Sequence, residues 1–202
     1  ATLIMLCFLV LTLSGFYDSA ETALDQAMIQ AVSISTTAGF ATTDFSIWPT
    51  FLPILLIFSS FIGGCASSTG GGLKVVRVCL LFLQGKREVD RLIHPKAVYS
   101  VKLGERAMPD KVVEAVWGFF SAYAVVFVVL MIGLIATGLD NLSAFTATAA
   151  MLNNLGPGLG SVASNYAGVT DAGKWILVVG MGFGRLEVFS LLVLFSPTFW
   201  RS

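Results

Sequence analysis

Apolar residues in this chain gather into long blocks separated by polar interruptions. Four apolar regions stand out, roughly 1–16, 50–83, 112–138 and 172–200. A helix that crosses a bilayer needs about 20 apolar residues, and the last two regions meet that requirement. The first is short. The second, at 34 residues, is too long for one straight span and is broken by GGCASSTGGG at 63–72. Between the first two regions lies AETALDQAMIQAVSIS, helical in pattern but too short to cross. Asp18 or Ser19 can cap it, and Glu21 stands three after Asp18, close to the spacing of a capping box. Between the last two regions DNLSAFTATAAML repeats the arrangement, opening on Asp140-Asn141 and running into MLNNLGPGLG at 151–160. Each stretch reads as a half-helix that enters a bilayer, stops midway and returns as irregular backbone. Such backbone is tolerated at depth only where protein or water covers it.

Sliding the chain by 117 positions superimposes these features. STTAGF (35–40) falls on LNNLGP (152–157), so that Gly39 meets Gly156; Gly63 meets Gly180, and Ser68 meets Arg185. Identities are sparse, but the order of parts is the same. The expected fold is an all-α membrane protein made of two span–pore-helix–span units.

Composition agrees with a bilayer setting. Hydrophobic residues make up 56% of the chain, only 12% are charged, and the mean hydropathy is +0.85. Soluble domains carry about 25% charged residues. A formal net charge of zero argues against nucleic acid as a partner. Cys7, Cys65 and Cys79 lie far apart in apolar runs, and His94 has no histidine or cysteine near it, so neither a disulfide framework nor a metal site is expected. The chain opens on ATLIMLCFLVLTLSG, without a charged n-region, and reads as the carboxy-terminal part of a longer polypeptide.

Charge orients the spans. Segment 84–111 carries Lys86, Arg87, Arg91, Lys96, Lys102, Arg106 and Lys111, whereas segment 17–49 carries four acids and no Lys or Arg. The positive-inside rule places the first in the cytoplasm and the second outside. Trp48 and Trp175 then fall near the outer interface, Trp117 and Trp200 near the inner one.

A half-helix ending at mid-membrane aims the negative end of its dipole at whatever lies there. The loop after it can turn backbone carbonyls inward to replace the hydration shell of a cation. Glycine permits the backbone angles and leaves the path clear, while Thr36, Thr37, Asn153 and Asn154 can tie the loops to their surroundings. An intramembrane protease is a poor fit, because Ser67, Ser68 and Thr69 lack a histidine within reach. A secondary transporter with discontinuous helices predicts units of inverted topology, whereas both units here run the same way.

STTAGF, FIGGCASSTGGGLKVVR, HPKAV, AVWGFFSAY, LNNLGPGLG and FGRLEVFSLLVLFSPTFWR, spread over nearly the whole chain, together resemble the Trk/Ktr/HKT superfamily of potassium transporters. The resemblance implies four such units around one pseudo-fourfold pore. This chain would supply the third (1–83) and fourth (112–202), joined by a cytoplasmic linker (84–111). It implies a filter for potassium, the transported ion, at Thr36, Thr37, Ala38, Gly39, Asn153, Asn154, Leu155 and Gly156. It also implies a gate in the Gly-rich break, Ser68, Thr69, Gly70, Gly71 and Gly72. The repeat offset sets Arg185 level with that break, below the filter, and it is expected to project to the pore. A charge in mid-span costs at least about 2.5–3.5 kcal/mol and needs water or a partner. Implied partners are the amino-terminal half of the same protein, a second copy of the whole, and a cytoplasmic ring of nucleotide-binding RCK-type (TrkA-like) subunits docked on the linker. The implied location is the bacterial inner membrane, with several crossings and no resident cofactor.

Overall fold

A computed structural model describes residues 1–49, 51–63, 71–94, 97 and 99–186, with Arg106 described by its backbone alone. Among the described residues seven helices carry the fold: α1 Thr2–Leu13, α2 Ala20–Ser35, α3 Leu52–Ile62, α4 Val75–Ile93, α5 Asp110–Ala136, α6 Asn141–Leu152 and α7 Asp171–Arg185. Short 3-10 turns occupy Phe45–Ile47 and Gly160–Val162. A small hairpin pairs β1 (Lys102–Leu103) with β2 (Arg106–Ala107).

α5 is the one described helix long and apolar enough to cross a membrane, with 27 residues and a hydropathy of 2.6. It exposes Val125, Val128, Val129 and Ile132 along one stripe. Their spacing of three and four places them on a single helical face, suited to hydrocarbon. α2 shows the opposite logic: Ala23, Ala27, Ala31 and Ile34 form its buried stripe. α6 is the most enclosed element, with Ser143, Ala144 and Thr146–Leu152 all buried. Its alanines let neighbouring backbones approach closely.

Packing repeats from one unit to the next: α1 and α3 flank α2, as α5 and α7 flank α6. α3 meets α6 and α4 meets α5 between the units. The largest core joins Cys7, Leu11, Ala27, Ile34, Leu56 and Ile57 of the first unit to Ala149, Ala150, Leu155 and Leu159 of the second.

Three details depart from the sequence reading. Ser19 caps α2 by accepting from the Thr22 N–H at 3.1 Å, and the two hydroxyls pair at 2.8 Å, so Thr22 takes the place foreseen for Glu21. The second apolar region is two helices on either side of the Gly-rich stretch, as expected, but α4 continues ten residues past position 83, into the segment read as a linker. There Arg87, its side chain only 10% exposed, pairs with Asp110 at 2.6 Å and fastens α4 to the start of α5. Trp48 is buried rather than facing lipid, and its indole N–H donates to the Tyr17 hydroxyl at 3.2 Å. Trp175 is 71% exposed.

Candidate functional site

α2 and α6 stop at corresponding residues, Ser35 and Leu152, and beyond each the chain builds the same corner. Thr36 and Asn153 cap the helices at φ −89°, ψ 0° and φ −89°, ψ −1°. Thr37 and Asn154 then turn left-handed, at φ 56° and 52°. The Ala38 N–H reaches back to the Ser33 carbonyl at 2.8 Å, and the Leu155 N–H to the Ala150 carbonyl at 2.7 Å. The Thr37 N–H bonds Ile34 at 3.1 Å, as the Asn154 N–H bonds Met151 at 3.0 Å. This is the Schellman closure of a helix end, in register at an offset of 117 bond for bond. Gly39 and Gly156 come next, both at positive φ (76° and 103°).

The returning chains are tied at matching levels. Thr42 and Thr43 donate to Gln26 Oε1 at 2.7 and 3.2 Å, and Gln30 Nε2 donates to the Thr43 carbonyl at 3.1 Å. In the second unit Ser143, in register with Gln26, donates to the Leu159 carbonyl at 3.3 Å and accepts from the Ser161 N–H at 2.9 Å. Thr146 accepts from the Leu159 N–H at 3.0 Å. Asp140 caps α6, accepting from the Ser143 N–H at 3.0 Å; hydrogen bonds from Ser143 lower its carboxyl below the ordinary range.

The two loops touch. A Cβ built on Gly39 would run into the Leu155 carbonyl, with the Pro157 ring at 3.6 Å. Beyond them Gly39, Thr43, Asp44, Gly156, Pro157 and Tyr166 line an open cavity of about 690 Å³. The Tyr166 hydroxyl donates to the Gly156 carbonyl at 2.7 Å.

On the other side of the corners, the Asn153 side chain is fully buried. Its Oδ1 accepts from the Tyr123 hydroxyl at 2.7 Å and its Nδ2 donates to Ser60 Oγ at 2.8 Å. Ser60 in turn donates to the Ile57 carbonyl at 2.6 Å. One amide thus joins α6, α5 and α3. Gly71 sits between the corners. Its N–H donates to Thr37 Oγ1 at 3.2 Å, and a Cβ there would strike the Asn153 carbonyl. Gly184 of α7 lies as close to the Leu152 carbonyl and the Asn154 amide.

These contacts bring together Thr36–Gly39, Asn153–Gly156 and Gly71. Thr36, Ala38 and Gly156 are exposed, whereas Asn153 and Leu155 are buried. Gly72 comes after Gly71 at φ 82°, and a Cβ built there would press on the Ser60 and Phe61 carbonyls. Arg185 is exposed and forms the last residue of α7. Ser68, Thr69 and Gly70 lie outside the described residues. Sequence reasoning passed over Ser60, Tyr123 and Tyr166. Ser60 and Tyr123 are polar groups within apolar helices, and such groups must find partners where water is scarce.

Residues 4–202 match the family model of TrkH, described as a cation transport protein. The chain belongs to the TrkH family. Among its relatives are the "Trk system potassium uptake protein TrkH" of Vibrio parahaemolyticus, 65% identical over 200 residues, and that of Escherichia coli K12, 61% identical over 200 residues. Each comparison covers 99% of this chain and 41% of the relative. The "Trk system potassium uptake protein TrkG" of Escherichia coli K12 is 39% identical over 188 residues, 93% of this chain and 39% of that one. The crystal structure of the potassium transporter TrkH from Vibrio parahaemolyticus superimposes with a TM-score of 0.93 at 64% identity, covering 99% of this chain and 43% of that one. The chain therefore has the membrane transporter fold of the TrkH family, spans about two fifths of the length of these relatives, and its kin are transporters rather than enzymes.

Proposed function

We propose that the full polypeptide to which this chain belongs carries potassium across the bacterial inner membrane. The path runs past the adjoining loops at Thr36–Gly39 and Asn153–Gly156, which form part of its wall, and backbone carbonyls replace the ion's water. This chain is the carboxy-terminal part, and two further units complete the ring around the pore. The observation that carries the reading is the duplicated corner: two loops of different sequence held in one backbone geometry, each behind a half-helix and each leading into a glycine. A Schellman closure is a common helix end; the weight lies in its recurrence at an offset of 117 behind two half-helices, each followed by a glycine at positive φ, as a ring of equivalent carbonyls requires.

The Gly-rich segment 68–72 and Arg185 form the gate beneath the filter. Support comes from Gly71, which is fastened to Thr37 on one side and lies against Asn153 on the other. Segment 84–111 faces the cytoplasm and receives an RCK-type ring, and the complete protein works as a dimer. The basic side chains there also favour contact with anionic lipid.

The deciding experiment is rubidium and sodium uptake into liposomes containing the full-length protein, wild type beside Gly156→Ser. Rubidium uptake that potassium blocks, and that the variant loses or opens to sodium, is the expected result. Wild-type protein that carries no rubidium with its RCK-type partner present would overturn the proposal.

A further inference from the structure

The two candidate filter loops are alike in their corners and unlike in what stands behind their glycines. In the second unit the Tyr166 hydroxyl donates to the Gly156 carbonyl at 2.7 Å. The phenol is held there firmly. Its ring packs into the cluster of Leu134, Val162 and Leu177, its carbonyl accepts from the Val169 N–H at 3.2 Å, and its oxygen lies 3.5 Å from where a Cβ on Gly158 would stand. In the first unit the residue in register with Tyr166 is Pro49, which has no hydroxyl to give. Gly39 leans instead on the second unit's loop, against the Leu155 carbonyl and the Pro157 ring. One loop is braced by a tyrosine, and the other is braced by the first.

We propose that Tyr166 is a positioning residue for cation discrimination: it fixes the direction of the Gly156 carbonyl and, through Leu155 and Pro157, the seat of Gly39. This rests on the filter reading of 36–39 and 153–156. The chemistry is that of spacing. A carbonyl oxygen has two lone pairs, so one can accept from the phenol while the other faces an ion. Discrimination between potassium and sodium depends on the number, direction and stiffness of such oxygens. A neutral hydrogen bond stiffens the carbonyl without placing a competing charge beside the ion. Without it, Gly156 at φ 103° has no Cβ to restrain its peptide plane.

The test is Tyr166→Phe in the full-length protein, which removes one oxygen and keeps the ring. Rubidium uptake into liposomes is measured with potassium or sodium as competitor, and thermal melting is monitored in detergent with and without potassium. The expected result is a fall of about 3- to 10-fold in the preference for potassium over sodium, the scale of one hydrogen bond. The melting shift that potassium induces should shrink with it. A variant that melts lower but keeps the wild-type preference and the wild-type potassium shift would show the tyrosine to be packing only. A folded variant without flux supports the proposal if the potassium shift is lost and overturns it if the shift is intact. Wild-type protein with no potassium-blocked uptake would remove the transport reading, and this inference with it.

Discussion

Thr37 and Asn154 stand 117 positions apart and hold nearly one backbone angle, φ 56° and 52°, though neither is glycine. Asparagine visits the left-handed region with some ease, whereas a β-branched threonine there is a true outlier. Strain of that kind persists only where surrounding contacts demand it. At Thr37 the demand is visible: the hydroxyl that accepts from Gly71 is placed by the strained angle. Thr37→Val should therefore lose about 1 kcal/mol or more of stability, while Thr37→Ser keeps most of it. Melting of the full-length protein in detergent compares the two.

Gly71 and Gly85 give opposite expectations for the same substitution. Gly71→Ala forces a methyl group against the Asn153 backbone and should lower the melting temperature sharply. Gly85 lies inside α4 with nothing within 4 Å of a built Cβ. Gly85→Ala should stabilise by about 0.5–1 kcal/mol through helix propensity. Equal effects at both sites would refute the close approach at Gly71.

Tyr123→Phe removes the donor that satisfies Asn153 Oδ1 and leaves a buried acceptor unpaired. The expected cost is about 1–3 kcal/mol. In a double-mutant cycle with Ser60→Ala, the two effects should not add, because both act through the one Asn153 amide. Strict additivity would show that the amide is not shared.

Asp140 supplies a pH dependence. Its folded pKa is lowered, chiefly by hydrogen bonds from Ser143, so its ionised form is favoured by folding. The stabilisation is present above the ordinary carboxylate value, near 3.9, and is lost as pH falls through the lowered folded value. Melting curves between pH 6 and pH 3 should fall less steeply for Asp140→Asn than for wild type.

Arg185 carries the gating proposal. Arg185→Ala should raise both rubidium flux and closed-state leak in liposomes, because a cationic barrier in the path has gone. Flux and leak equal to wild type would take the gate away from this residue.

Much of this molecule was legible because its signals are local. The half-helices announce themselves by a capping residue at one end and a glycine-bearing corner at the other, and the offset of 117 emerges from those corners alone. The features that stayed hidden depend on distance or on context. Positive charge marks where a membrane ends, not where a helix ends, so α4 runs on to Ile93 through residues that read as linker. A tryptophan suits a lipid interface and a protein core equally, and only the bond to Tyr17 shows which Trp48 chose. Ser60 finds Asn153 across 93 positions, a pairing no window along the chain can see.

The glycines at 39, 71 and 184 share a property that bears on how the family can change. Each faces main-chain atoms, those of Leu155, Asn153 and Leu152. A crowded side chain can be relieved by trimming its neighbour, but a carbonyl cannot be trimmed. Second-site suppressors of a bulky replacement at any of the three should then be scarce, and selection for regained growth should return glycine itself.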